Sequence, residues 1–413
     1  MSERAGKHGP SHLISLSRAR SRIARLARLG GEELSLADGL DRRLAHEVRA
    51  EADCPSRNVS LKDGFAVRSV DVAAAGPDTP VTLRVVGMVA AGDRARVSVG
   101  PGQAVRIMTG APVPEGADAV LAAEFARDGR DRVEALADAH PGRNILAVGS
   151  DVARGDLLAQ SGTVLTPALL GLLAAGGVRT IRVYRRPRVM VVATGSELVA
   201  PGEPITPGKV AASNMVTLVG ELRAMGLAPD QLLIRDDLAS LKKRLEPLIG
   251  MYDCVLTCGG VLDGDKDFTM QAMQELAIEP MFHRVRVGPG KGVCLGRSRS
   301  GQTLFCNLPG GPPSNHIAFV LLARPALERL GGRDNLFADA VAARLCSDLP
   351  GQKGWTQIFY GRLAARGSSN SVQPLTGMSR LAAMAGADCL IELAEEEEKA
   401  CQGAIIETVW KIR

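Results

Sequence analysis

Along the first 30 positions apolar residues recur at helical spacing, most clearly in LSRARSRIARLARLG, and the helical reading continues through LADGLDRRLAHEVRAEADCP to its closing proline. From about residue 56 to 154 the pattern changes to short β-branched runs such as VTLRVVGMVAAGD and QAVRIMTGAPVPEGADAVLAAE, separated by Gly, Pro and Asp. That spacing predicts a small all-β domain with barrel or sandwich packing. The stretch TVLTPALLGLLAAGGVRTIRVYRRP predicts a helix that stops at Gly176 and Gly177 and packs back against the first segment. From 187 the buried strand PRVMVVATG is followed by the helix SNMVTLVGELRAMG, with Ser213 or Asn214 as its cap. Then come the strand DQLLIRDD, the helix LASLKKRLEPLIG, the strand YDCVLTCGG and the helix DFTMQAMQELA. Alternating strands and helices predict a doubly wound, mostly parallel sheet. A crossover region, MFHRVRVGPGKGVCLGRS, leads to a strand, a glycine-proline turn and a long helix in TLFCNLPGGPPSNHIAFVLLARPALERLGG, and from 334 onward short strands return around an EEEE turn. The expected fold class is α/β plus all-β and multidomain: an elongated linking domain from residues 1–55 and 155–186, a small β domain at 56–154, an α/β domain at 187–333 and a C-terminal β domain at 334–413.

Composition narrows the function classes. A chain of 413 residues exceeds one average core. No run of about 18 apolar residues and no signal-peptide layout occurs, so the expectation is a cytoplasmic protein with no membrane partner. Eight cysteines without C-x-x-C pairs fit reduced thiols rather than a zinc site or disulfide framework. The net charge of +5 is concentrated in residues 1–30, which hold seven Lys or Arg against Glu3 alone. With only two Trp, three Tyr and eight Phe, there is little to stack on bases, and no nucleic-acid partner is expected.

In an open α/β sheet ligands bind beyond the carboxyl ends of the strands. The loops at that edge are ATGSEL, RDD, CGGVLDGDKD and NLPGGPPSN. They carry Glu197, Asp236, Asp237, Asp263, Asp265 and Asp267, and two of them are glycine-rich. Glycine turns let backbone N–H groups approach a phosphate. Carboxylates beside a phosphate repel it unless a divalent cation lies between, and Mg²⁺ takes one or two carboxylates plus phosphate oxygens. Plainer roles stand beside this: Asp267 fits a helix N-cap equally well, Asp236 and Asp237 fit a solvated loop, and the glycines fit ordinary turns. Lys291 in GPGKG, preceded by Arg284 and Arg286 at strand spacing, offers cations for a phosphate, or is a lysine at a turn tip. The six histidines are scattered without ligand spacing, and for His283 and His316 a surface or packing role is expected. No Ser-His-Asp grouping or G-x-S-x-G elbow is present.

At these residues the sequence resembles the molybdopterin molybdenumtransferase family (MoeA), whose members share their fold with the C-terminal domain of gephyrin. The likeness runs from about residue 15 to 413. Its pieces are SLKDGFAVRSVD for the family's MDGYAV, RIMTGAPVPEGADAV, VVATGSELV, SN, IRDD, CGGVLDGDKDFT for GGVSVGxxD, GPGKG for KPGKP, and NLPGGPPSN for GLPGNPVSA. The resemblance implies a Mg²⁺-dependent reaction in which adenylated molybdopterin and molybdate yield the metal-loaded dithiolene and AMP. It implies a homodimer, with Asp63 and Thr109 contributed by one subunit and the α/β loops by the other, and supply of substrate by the upstream molybdopterin adenylyltransferase. Carried over by motif position, the catalytic candidates are Asp63, Thr109, Asp151, Glu197, Asp236 and Lys291. Asp236 and Asp267 are the metal candidates, and Gly195, Ser196, Gly259, Gly260, Arg284, Pro309, Gly310 and Ser314 would bind the pterin nucleotide in the α/β, molybdopterin-binding domain.

Departures from the family pattern are as informative. Gly288 stands at the first lysine of KPGK, Leu146 at an arginine, Ser150 at a glutamate, Leu262 at a serine, Gly311 at an asparagine and Met378 at a serine that Ser379 adjoins. Each removes a polar or cationic contact. Two rival readings follow: a binding or scaffold protein of the same fold with weakened catalysis, and a variant that handles tungstate. If Asp267 is a metal ligand, Asp267→Asn should abolish metal-dependent AMP release while the protein still folds; a nucleotide-release assay on the variant checks this, and retained activity refutes the ligand role.

Overall fold

The computed structural model describes residues 13–94, 96–259, 268–366 and 369–412. The chain forms two compact units, one of residues 31–183 and one joining the chain up to Gly30 with everything from Tyr184 onward. Together they make the mixed α/β and all-β, multidomain fold that the hydrophobic pattern predicts.

In the 31–183 unit, six strands form a mixed sheet in the order Ala119–Ala122, Gly64–Val67, Gln103–Ile107, Val81–Val89, Arg132–Ala135, Ala126–Asp128. Successive side chains of a strand face opposite ways, and both faces are covered here. Phe65 and Val67 pack with Leu83, Leu121 and Val133, while Ala66 packs with Val89, Val105 and Val120. The helix Pro167–Ala175 is capped by the Thr166 hydroxyl, which accepts from the Leu169 N–H, and it ends at Gly176 and a left-handed Gly177.

Residues 32–55 are not helical, contrary to the periodicity. Gly31–Ser35 is a strand paired with Thr180–Tyr184, Val48–Arg49 pairs with Leu157–Ala159, and only Leu36–Asp38 makes a turn of 3₁₀ helix. Asp41 sits at φ 58°, which a helix does not tolerate, and Leu44 is fully buried beside Val183, to which its backbone bridges. The four-residue spacing of Leu36, Leu40 and Leu44 mimics a helix, but residues 155–184 take the backbone hydrogen bonds.

In the other unit, the sheet comprises β1 (Val189–Thr194), β2 (Asp230–Ile234), β3 (Cys254–Cys258), β4 (Ile278–His283), β5 (Cys294–Ser298) and β6 (Leu304–Leu308). The spatial order is β2-β1-β3-β6-β5-β4. The first four are parallel and in register, so that Thr194 lies beside Ile234, Ala193 beside Cys258, and Cys258 beside Leu308; β5 and β4 are antiparallel. Buried on both faces, β1, β3 and β6 read as mostly apolar runs, and two buried polar side chains within them, Thr257 and Asn307, are hydrogen-bonded to each other at 2.8 Å. The helices are α1 (Ser213–Ala224), α2 (Leu238–Leu245), α3 (Phe268–Glu275) and α4 (Pro312–Ala318), the last continuing through a π-type turn to Leu330.

The basic N-terminal segment is helical over Leu16–Ala24, with Leu16, Ala19 and Ile23 buried in the same core as Leu327 and Leu330. The C-terminal strands Ala340–Leu345, Thr356–Arg366, Ser369–Pro374, Cys389–Leu393 and Ile405–Lys411 close into a small barrel, because Thr356–Arg366 pairs with both Ser369–Pro374 and Cys389–Leu393. One further strand, Val287–Gly288, lies parallel to Thr356–Gln357.

Gly64 is the tightest point of the small β unit: a Cβ there would stand 2.0 Å from the Leu121 carbonyl oxygen. Backbone against backbone cannot yield cheaply, so Gly64→Ala should cost about 1–3 kcal/mol or more. A thermal melt followed by circular dichroism should show a fall of several degrees.

Candidate active site

The strand order creates a switch point between β1 and β3, because the chain leaves β1 for β2 on one side and returns to β3 on the other. Backbone geometry draws the loops there together. The Thr194 hydroxyl donates to the Cys258 carbonyl at 3.2 Å, and the Gly259 N–H donates to the Leu308 carbonyl at 3.0 Å. Gly259 has φ +110°, and a Cβ on it would lie 3.0 Å from both the carbonyl and hydroxyl oxygens of Thr194. Only glycine fits. Gly310 stands against Gly259, and the Gly195 N–H donates to the Ile234 carbonyl at 3.2 Å. Cys258 ends β3 at this edge, but burial pushes its thiol up to about 12, which makes it a core side chain rather than a nucleophile.

The acidic residues divide by role. The Glu197 carboxylate folds back over Gly195, whose hypothetical Cβ would meet its oxygens at 2.8 and 2.9 Å. Asp236 is raised above the usual carboxylate range, first by burial and then by the charges of Glu197 and Asp237, and its buried Oδ1 has no hydrogen-bond partner among the described residues. Asp237 does something different: it caps α2 by accepting the Ser240 N–H at 2.8 Å, and that bond holds its carboxyl below the ordinary range. From sequence the two aspartates are equivalent; in the fold one is satisfied and the other is not.

Side chains outside the predicted set fix the loops. Lys209 Nζ donates to the Ser196 carbonyl at 2.6 Å, Asn214 Nδ2 to the Gly310 carbonyl at 2.8 Å, and Asn315 Nδ2 to the Pro309 carbonyl at 2.9 Å. Asn214 is therefore not a helix cap, and neither is Ser213; α1 has Ala212 at that position with no side-chain cap bond. The asparagine after Ser213 was the available signal, but its partner lies 96 residues away. At Gly311 the α4 N-cap has no side chain, and the amide that holds the turn comes from Asn315, one helical turn later.

The loop carrying Lys291 adjoins α4: a Cβ on Gly290 would lie 3.7 Å from the Ser314 carbonyl. Arg284 has a left-handed backbone, with its N–H bonded to the Val293 carbonyl and its carbonyl accepting from Ile14. Arg286 is committed to Glu395 at 2.8 Å. Gly288 faces the Gln357 amide, which would lie 3.3 Å from any Cβ there, so a longer side chain would have to displace it. His316 is buried, 3.1 Å from both the Tyr360 hydroxyl and Glu221, and so has a packing environment. Met378 is exposed, and the adjoining Ser379 caps the helix Arg380–Gly386.

In the 31–183 unit, Asp63 Oδ1 accepts from both the backbone N–H of Thr109 at 2.7 Å and its hydroxyl at 2.8 Å, which holds Asp63 below the usual range. Asp151 is exposed, its N–H bonded to the Cys54 carbonyl, and Leu146 lies in an extended pair with Val59. Gly260, Leu262, Asp263, Asp265 and Asp267 fall outside the described residues. Among the described residues, no group of three or more His, Cys, Asp and Glu gathers as a metal site, and no helix is long and apolar enough to cross a membrane.

Two families of known proteins match consecutive parts of the chain: residues 14–177 match the MoeA N-terminal region (domains I and II), and 190–329 match the probable molybdopterin binding domain. The molybdopterin biosynthesis MoeA protein of Pyrococcus horikoshii superposes with a TM-score of 0.84 at 30% identity, covering 96% of this chain and 99% of that one. These likenesses define the class, a transferase of molybdenum cofactor biosynthesis. The molybdopterin molybdenumtransferase of Bacillus subtilis is 32% identical over 351 residues, 84% of this chain and 81% of that protein. Molybdopterin molybdenumtransferase 2 of Mycobacterium tuberculosis is 32% identical over 383 residues, 92% and 94% of the respective chains. The chain belongs to the molybdopterin molybdenumtransferase family.

A carboxyl raised in the fold costs stability once the unfolded chain can ionise it. Stability from a protonated Asp236 is therefore present below the ordinary aspartate value and lost as pH rises through the raised one. Asp236→Asn should melt higher than the wild type at pH 7.5 in EDTA, by roughly 1–3 °C for a partly screened site. The gain should close as the pH approaches 4, in melts recorded across that range.

Proposed function

We propose that this enzyme inserts molybdenum from molybdate into adenylated molybdopterin and releases AMP. The observation that carries this reading is the buried, unpartnered Oδ1 of Asp236 beside Glu197, next to the glycine turns at the switch point. Two crowded carboxylates are costly unless a cation joins them. The donor set is all oxygen and holds one or two carboxylates, which fits magnesium completed by water and substrate oxygens. Asp236 would hold the ion with Glu197 close by, and Asp267 would be a second ligand; the ion, when bound, would neutralise phosphate charge.

The chain's own residues would do the rest. The glycine-rich turns at Gly195, Ser196, Gly259, Gly260, Pro309, Gly310 and Ser314 would let the phosphates approach the backbone closely, and Lys291, with Arg284 nearby in sequence, would offset their charge. Asp63, kept ionised by Thr109, and Asp151 would complete the catalytic set from a second subunit of a homodimer. Cleaving a phosphoanhydride is mainly positioning and charge neutralisation, which suits a site without a nucleophile. The reading includes delivery of substrate by the molybdopterin adenylyltransferase, a cytoplasmic setting, and division of the chain into the four domains expected from sequence.

The test is AMP release from adenylated molybdopterin by the purified protein with Mg²⁺, with and without molybdate. Molybdate-dependent release is expected, with Lys291→Ala lowering kcat/KM by about tenfold or more, as for loss of a charged hydrogen bond to phosphate. Preference for tungstate in a competition assay would move the oxyanion assignment. No release under either oxyanion from folded protein would favour a binding or scaffold role.

A further inference from the structure

We propose that Trp355 is a positioning residue for Lys291, so that the C-terminal barrel sets where the lysine's charge falls. This rests on the reading that Lys291 meets an anionic substrate. Lys291 is exposed on a loop, and a free lysine side chain there would sample many rotamers. Its Nζ instead lies 5.2 Å from the centroid of the half-buried Trp355 ring, within the range where an indole face attracts an ammonium.

Both ends of this contact hang on one strand pairing. Val287 and Gly288, at the root of the lysine loop, run parallel to Thr356 and Gln357, and the Thr356 N–H donates to the Arg286 carbonyl at 3.1 Å. The Trp355 N–H donates to the Gln352 carbonyl at 3.0 Å, and the N–H groups of Val285 and Val293 both donate to the Lys291 carbonyl. The ring and the ammonium are thus held by neighbouring backbone that cannot shift independently.

The chemistry of the contact matters as much as its geometry. Arg286 has given its charge to Glu395, whereas Lys291 has no carboxylate partner among the described residues. An aromatic face holds a cation without neutralising it, leaving its donors available for a phosphate. With Gly288 supplying no second cation in this loop, where Lys291 points becomes decisive.

The experiment is a double-mutant cycle in the full-length enzyme, measuring KM for adenylated molybdopterin and kcat by AMP release. Trp355→Ala should raise KM about two- to fivefold, the range for a cation over a partly exposed ring, with kcat changing less. Trp355→Phe should restore most of that loss and melt with the wild type. In a Lys291→Ala background, Trp355→Ala should add nothing further. If Lys291→Ala raises KM but the effect of Trp355→Ala is absent, or is undiminished without the lysine, the positioning role is overturned. If Lys291→Ala leaves KM unchanged, the site reading itself fails, and the positioning role falls with it.

Discussion

Everything at the carboxyl edge depends on three parallel strands ending almost flush, close enough that only glycine fits between them. Thr194 reaches across to Cys258, Gly259 bonds to Leu308, and Gly310 stands against Gly259. With no side chain in the way, the turns leave the backbone open to close approach. The same crowding forces Glu197 back over Gly195 and leaves Asp236 part-buried beside it. The proposed phosphate turn and the proposed cation ligands are therefore one consequence of one packing constraint.

Much of the fold was legible in the sequence where burial is uniform. β1, β3 and β6 are mostly apolar because both their faces are buried, with Thr257 and Asn307 satisfying each other across the pair, and the helices between them carry their own periodicity and stop signals. Residues 32–55 misled because their apolar spacing suits a helix while most of their backbone hydrogen-bond partners lie in residues 152–182. Local pattern cannot see such partners. The site follows the same division. Its loops were found from the strands that precede them, but which aspartate caps a helix, which asparagine holds a carbonyl and which arginine is already paired depend on residues brought together only by folding.

The departures from the family pattern look less like simple losses once their surroundings are known. Gly311 gives up a side chain, yet Asn315 holds the same turn from one helical turn further along. Gly288 gives up a lysine where the Gln357 amide already lies close. At both glycines the nearby side chain is a neutral amide, Asn315 in the one turn and Gln357 beside the other.

The parallel pairing of Val287–Gly288 with Thr356–Gln357 has a consequence for modular engineering. Although the chain reads as a string of domains, two residues from the middle of it are stitched into the wall of the last one. The C-terminal barrel is therefore not a detachable tail. A chimera that exchanges it for a relative's barrel must also exchange residues 287–291, or the two pieces will disagree over which backbone closes the seam.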